Sequence, residues 1–278
     1  MLLSVRNLTK IYGSPCGDCL GYTGDDKLNS ICPVCGSVVA VNRVSFDVSS
    51  RQVLGIVGES GSGKSTLVQM LYQDRKPTEG TAILDGFKNV SGMKGNIFDA
   101  GLLERNRLRS TDMSMIYQNP RIGLNFSFSA GGNIAERIIT AGERAYANIK
   151  ERVEKRLVQT EMPVERAHAR PEEFSGGQQQ RIQISKALAN SPRLLLLDEP
   201  TTGLDLSVQA RIIDLIKALQ KEIGFAMIVV SHDLGVIRHL TDITMVMKNG
   251  CMVEYGLTDQ ILEDPQHRYT QSLVSSVL

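Results

Sequence analysis

The sequence predicts an α/β protein whose mostly parallel sheet is covered by helices and carries an inserted helical subdomain. Three observations predict it. Largely apolar runs of strand length recur at QVLGIV (52–57), LLLL (194–197) and FAMIVV (225–230), and stretches with the helical period follow them, the alternation that builds a parallel sheet. The first run leads straight into a glycine-rich loop and then into TLVQMLYQ, a strand–loop–helix unit. From about 131 to 172 the pattern turns helical and charge-laced, with Ile134, Ile138, Ile149, Val153 and Leu157 as inner-face positions.

In chain order, residues 2–9 read as a first strand, and after a cysteine-bearing excursion of about 13–38 a second begins near Val44 with period-two alternation. These two are the expected N-terminal antiparallel strands. Strand 52–57 and its helix are followed by a polar stretch, 88–112, and by strand MSMIYQ at 113–118. Pro163 and Pro171 break the helical insertion. Past Gly176-Gly177 the chain reads as helix 178–189, strand 193–200, helix 207–222, strand 225–231, helix 234–240 and strand 243–248. A hairpin to strand 252–256 and two short helices complete it.

The 278 residues suit one large α/β domain or two coupled subdomains. Lys and Arg number 31 against 30 Asp and Glu, aromatic residues are 5% and Trp is absent, so no nucleic-acid partner is expected. The longest apolar runs are far short of the roughly 18 residues that span a bilayer. The opening MLLSVRNLTK lacks the cationic-then-apolar pattern of a secretory signal, which makes the cytoplasm the expected address.

Cys16, Cys19, Cys32 and Cys35 spell C-x2-C-x12-C-x2-C. Two knuckles, with Gly17 and Gly36 at their turns, can bring four thiolates to one point, the arrangement of a structural Zn2+ site. An iron–sulfur cluster and unligated thiols are the alternatives. The intervening LGYTGDDKLNSI is too polar to form its own core, so a metal would supply much of its folding energy. Cys251 stands apart and reads as a small half-buried side chain.

GESGSGKS, Gly58 to Ser65, fits G-x-x-x-x-G-K-[ST] between a strand and a helix. Backbone amides of such a loop wrap a diphosphate, Lys64 reaches the β and γ phosphates, and the Ser65 hydroxyl can ligate Mg2+. The contacts are expected from Gly58, Ser60, Gly61, Ser62, Gly63, Lys64, Ser65 and Thr66. Asp198 ends the strand LLLLD, where its carboxylate can hold Mg2+, and Glu199 beside it can polarise the attacking water. Taken alone, Gly176-Gly177 reads as a plain turn and His232 as a satisfied structural histidine, Gln118 carries no specific signal, and Tyr12 is core or surface.

Together these motifs carry a resemblance. Gly58–Ser65, Gln118 in YQNP, FSGGQQQR at 174–181, LLLLDEP at 194–200, GLD at 203–205 and SHD at 231–233 stand in the order found in ATPase subunits of the ABC superfamily. The resemblance covers almost the whole chain outside the cysteine insert. It implies a P-loop fold of ABC type over 1–278 with a helical subdomain at 119–190; the four-cysteine metal-binding element predicted by the spacing is inserted into this fold at 13–38. It implies ATP and Mg2+ as ligands and a head-to-tail dimer, with itself or a closely related ABC protein. Tyr12 resembles the adenine-stacking aromatic, Gln118 the residue that touches Mg2+ and the attacking water, and His232 the γ-phosphate contact. Ser175, Gly176 and Gly177, with Gln178, look like the partner-facing signature, and Asp205 lies in the loop joining the two sites. Phe174 stands where the family more often has Leu.

SAGGNIAERI at 129–138, DLSVQARIIDLIKALQ at 205–220 and the tail from 246 are similar to the ABC proteins of the bacterial carbon-phosphorus lyase system for phosphonate use. That resemblance implies soluble lyase core subunits as partners. The tail also resembles the ATPases of dipeptide and oligopeptide importers, which implies membrane permeases and a place at the inner membrane. DNA-associated ABC ATPases need coiled-coil arms or a basic tract, and neither is present. No C-x3-C-x2-C radical-SAM arrangement occurs, so the chain is expected to drive such a lyase, not to perform its chemistry.

Overall fold

The computed structural model describes residues 1–88 and 95–276. In chain order its strands and helices are β1 (Leu3–Tyr12), α1 (Cys19–Tyr22), β2 (Val38–Val48), β3 (Val53–Val57), α2 (Lys64–Leu71), β4 (Glu79–Leu84), α3 (Leu102–Arg107), β5 (Met113–Ile116), α4 (Pro120–Gly123), α5 (Ala130–Thr140), α6 (Tyr146–Gln159), α7 (Gly176–Leu188), β6 (Leu194–Asp198), α8 (Leu206–Ile223), β7 (Ala226–Val230), α9 (Leu234–Leu240), β8 (Ile243–Lys248), β9 (Cys251–Leu257), α10 (Thr258–Glu263) and α11 (Arg268–Ser275). They form two compact units, Met1–Arg105 with Ile228–Leu278, and Asn106–Met227.

In the first unit, β2, β1 and β4 make an antiparallel sheet with β1 in the middle. β2 begins at Val38, earlier than the expected Val44, because Val38, Val39 and Val41 pair with Tyr12, Ile11 and Lys10. The sequence reading also lacks β4, whose pairing of Leu84 with Leu3 is visible only once the third strand is in place. β3, buried at all five positions, pairs parallel with β8 (Leu54 with Ile243, Val57 with Val246), and β9 closes this edge as the antiparallel arm of a hairpin. Val57, Leu234, Ile237, Val246, Ile261 and Tyr269 form the core beneath, so the tail helices are packed against the strand that carries the glycine loop. Of the expected polar stretch 88–112, residues 89–94 lie outside the described ones. The rest holds α3 and a wider helical turn over Leu108–Asp112.

In the second unit, β5 and β6 pair parallel, Met113 with Leu194 through Ile116 with Leu197. β5 stops at Ile116, two residues before the expected end. The helices pack around Ile134, Ile138, Val153, Leu157, Phe174 and Ile182, with Ile149 partly buried beside them, so the 3.6-residue pattern marks the inner face. Ser129 caps α5 through Gly132 N–H, and α8 ends at Gly224 in the left-handed region (φ 80°), where a Cβ would be strained.

Candidate functional site

In the first unit the parallel register of β3 on β8 sets Gly58 beside Met247. Gly58 and Gly63 have left-handed φ of 151° and 102°, and a Cβ on either would overlap a backbone carbonyl, that of Met247 or of Ala40. The space over Gly61 (φ 83°) is open. The loop is therefore pressed against the strands on one side and bare on the other, the shape a diphosphate needs. Lys64, 4% exposed, donates to the carbonyl oxygens of Gly58 (2.7 Å) and Glu59 (2.8 Å) and spans the loop. Ser62 is buried, and Ser65 and Thr66 follow in the first turn of α2, half-buried.

His232 comes two residues after β7. Ser231 N–H donates to the carbonyl of Ile56 (3.1 Å), which sets the exposed imidazole at the same carboxyl edge of β3 as the glycine loop. Tyr12 ends β1 opposite Val38, two residues before Ala40, whose carbonyl backs Gly63. Its half-buried ring has Lys10 Nζ 5.0 Å and Arg75 Cζ 5.7 Å from its centroid.

In the second unit the β5–β6 register decides what meets. Ile116 lies opposite Leu197, so two residues further along both strands Gln118 comes opposite Glu199. The Gln118 amide donates to the Glu199 carboxylate at 3.3 Å, and the Thr202 hydroxyl donates to the same oxygen at 2.9 Å. Thr202 is absent from the sequence reading; its only signal is a hydroxyl three residues after the acid. Asp198 is buried at the end of β6, whereas Glu199 turns out of the strand with φ 47°, a left-handed conformation unusual for glutamate.

Ser175 starts α7 in a capping box with Gln178: its hydroxyl accepts Gln178 N–H and its own N–H donates to Gln178 Oε1 at 3.2 Å. Gln178 is thus occupied in holding the turn. Ser175 and Gly176 are exposed, and a Cβ on Gly177 would collide with Val208, so that glycine lets α8 approach α7. Phe174 is buried under this turn, with the Arg166 guanidinium 4.1 Å over its ring. Asp205 is exposed at the N-terminal boundary of α8, and its side chain does not cap the helix.

The four cysteines converge. Cys16 Sγ lies 3.7 Å from those of Cys19 and Cys32, Cys19 Sγ lies 3.4 Å from that of Cys35, and all four fall within 4.8 Å of one another. Sulfurs on a tetrahedron with metal–sulfur bonds of about 2.3 Å stand about 3.8 Å apart, so this donor set fits Zn2+. The Cys16 backbone favours the Cys19 thiolate, but burial and the neighbouring sulfurs outweigh it and push this thiol up to about 12. The hydroxyl and backbone of Ser37 pull Cys35 down to about 6. The insert borrows its apolar contact from the strands: Cys19 and Cys32 are buried in a cluster with Val39 of β2, and Ile11 of β1 and Leu20 pack against it. Cys251 is half-buried, and burial raises its thiol.

A strand that feeds a glycine cradle into a helix, with a capped S-G-G turn elsewhere on the same chain, marks a P-loop ATPase of the ABC class. The chain belongs to the ABC transporter family, whose model matches residues 41–202, and it is an ATP-hydrolysing enzyme. Over 277 residues it is 43% identical to the putative phosphonates utilization ATP-binding protein PhnK of Escherichia coli (strain K12), covering all of this chain and 98% of that one. It is 39% identical over 243 residues to the oligopeptide transport ATP-binding protein OppF of Bacillus subtilis (strain 168), covering 87% and 77%. The dimeric post-hydrolysis structure of the ATP-binding cassette MJ0796 with ADP and Pi superposes with a TM-score of 0.75 at 26% identity, over 92% of this chain and 99% of that one. Among the described residues no helix is long and apolar enough to cross a membrane.

Proposed function

We propose that two copies of this chain close head to tail on ATP and that closure remodels a soluble carbon-phosphorus lyase core complex in phosphonate use. The observation that carries the reading is the match to PhnK, a phosphonates utilization protein, which extends over 98% of that protein against 77% of OppF. The dimeric state of MJ0796 supports the pairing. In this reading Ser65 and Asp198 hold Mg2+, which neutralises phosphate charge, while Lys64 and the loop amides hold the β and γ phosphates. Gln118 orients the water from which Glu199 takes a proton, and His232 contacts the γ phosphate. Tyr12 takes the adenine. Ser175, Gly176 and Gly177 of the second copy complete the site, and Asp205 connects the two.

The four cysteines hold one structural Zn2+, which stiffens residues 20–31 as a surface for the partner. Tyr22, Leu28, Ile31 and Val34 are exposed on this insert. Affinity capture of the chain from its own cells, followed by mass spectrometry, tests the partner. Lyase core subunits are the expected result. Two integral membrane permeases would instead establish the importer reading, which the 39% identity to OppF favours.

A further inference from the structure

Besides its apolar contact at Cys19 and Cys32, the cysteine insert meets the ATPase body through the charge of Asp25. Asp25 sits in the turn between the cysteine pairs, a turn closed by the bridge between Gly24 and Asn29. One carboxylate oxygen of Asp25 lies 3.1 Å from Lys248 Nζ at the end of β8, and the other lies 3.1 Å from His267 Nε2. The Asp25 and Lys248 side chains are only 22% and 25% exposed. His267 Nδ1 accepts the backbone N–H of Tyr269 (3.2 Å), so Nε2 carries the proton that is donated to Asp25. Glu254 accepts the backbone N–H groups of Gln266 (2.7 Å) and His267 (3.1 Å) and fixes the start of α11.

From this point a continuous set of contacts runs to the glycine loop. The Lys248 ammonium lies 4.9 Å over the Tyr269 ring. The Tyr269 hydroxyl accepts the N–H of Glu59 at 2.8 Å. That N–H belongs to the peptide unit whose carbonyl, on Gly58, accepts from Lys64 Nζ at 2.7 Å. A single amide plane is thus held by Tyr269 at one end and by the phosphate-binding lysine at the other. Each bond polarises the amide and strengthens its fellow. Without the Tyr269 hydroxyl, the Gly58–Glu59 plane keeps its bond to Lys64 but loses the hold on its N–H, beside a glycine whose backbone turns easily.

We propose that Tyr269 is a positioning residue for ATP binding and that Asp25 of the cysteine insert acts on the phosphate loop through Lys248 and Tyr269. The inference rests on Gly58–Ser65 as the ATP phosphate site and on nothing about zinc or the lyase. It assigns the tail helix α11 a part in holding nucleotide, and it gives whatever docks on the insert a route to the ATPase site.

The test is ATP affinity by calorimetry and steady-state ATPase kinetics on the full chain for Y269F, D25N and the double variant. Y269F keeps the ring under Lys248 and removes one hydrogen bond, so ATP affinity falls about five-fold and the effect appears in KM, not in kcat. D25N weakens affinity about two- to three-fold, and the double variant matches Y269F alone, because both changes act through the same peptide plane. Wild-type affinity in folded Y269F overturns the proposal, as does D25N costing as much in the Y269F background as in wild type. Should Y269F fail to fold by circular dichroism, D25N alone decides, and unchanged ATP affinity in it overturns the proposal. A wild-type chain that binds no ATP would instead sink the phosphate-loop assignment beneath it.

Discussion

Gln118 and Glu199, 81 residues apart in sequence, meet side chain to side chain at 3.3 Å because the strands that lead into them run parallel in register. A carboxylate held by an amide and by the Thr202 hydroxyl has its orientation set by the chain's own side chains.

Glu199→Gln tests that carboxylate. Glutamine preserves the side-chain shape and can still accept from Gln118, but it cannot take a proton from water. We expect ATP binding to persist, hydrolysis to fall by about 10²–10⁴-fold, and a closed dimer to accumulate in Mg-ATP. Size-exclusion chromatography in Mg-ATP reads the dimer. A monomer that hydrolyses ATP at the wild-type rate removes Glu199 from its role.

Lys64→Ala acts earlier, on binding. Its buried ammonium spans the loop from the Gly58 carbonyl to that of Glu59. Losing charged hydrogen bonds of this kind weakens ATP affinity by about 10- to 100-fold. Calorimetry that finds affinity unchanged would refute the assignment.

Cys32→Ser removes one of the two buried sulfurs in the cluster. Protein purified without chelator should carry about one zinc per chain in the wild type and under about 0.2 in the variant, because a three-thiolate remnant binds far more weakly. Partner capture should fall with the metal, while the chain still hydrolyses ATP. Iron with a visible charge-transfer band in the wild type would replace zinc in this account. Full partner capture by the zinc-free variant would leave the site structural only.

Glu254 gives a pH signature. Burial alone would raise its pKa, but the neighbouring Thr270 hydroxyl and the backbone N–H groups of Gln266 and His267 together outweigh this and hold the carboxyl below its ordinary 4.5. A depressed carboxyl stabilises the fold above that value, and the contribution is lost as pH falls through the lower, folded-state one. Glu254→Gln should therefore lower Tm by about 2–4 °C at pH 7, with the gap from wild type closing below about pH 4.5. Thermal melts that run parallel from pH 7 to pH 3.5 would contradict it.

Much of this was legible in the sequence, for local reasons. Gly58–Ser65 carries its geometry in its own glycines, and Ile134, Ile138, Val153 and Leu157 announce a buried face by spacing alone. What depends on distant partners was not legible. β4 is a strand because β1 is beside it, and Val38–Val41 were hidden behind the second cysteine knuckle until Tyr12 and its neighbours supplied a pairing edge. Gln118 had no signal of its own, since its place follows from a register between strands with some eighty residues between them. The path from Asp25 to Tyr269 joins positions near the two ends of the chain, which no local pattern can display.

Tyr12 and Val38 face each other across the antiparallel pair of β1 and β2, so the cysteine-bearing segment between them is topologically the tip of one enlarged hairpin. A hairpin tip can be exchanged for a two-residue Asn-Gly turn without altering which strands are neighbours. The insert is therefore an accessory in connectivity. Its backbone is tied to β2 where Val39 N–H donates to Ser30, and its charged hold on the body is Asp25, which makes the grip of one carboxylate the difference between an ornament and a controlling part.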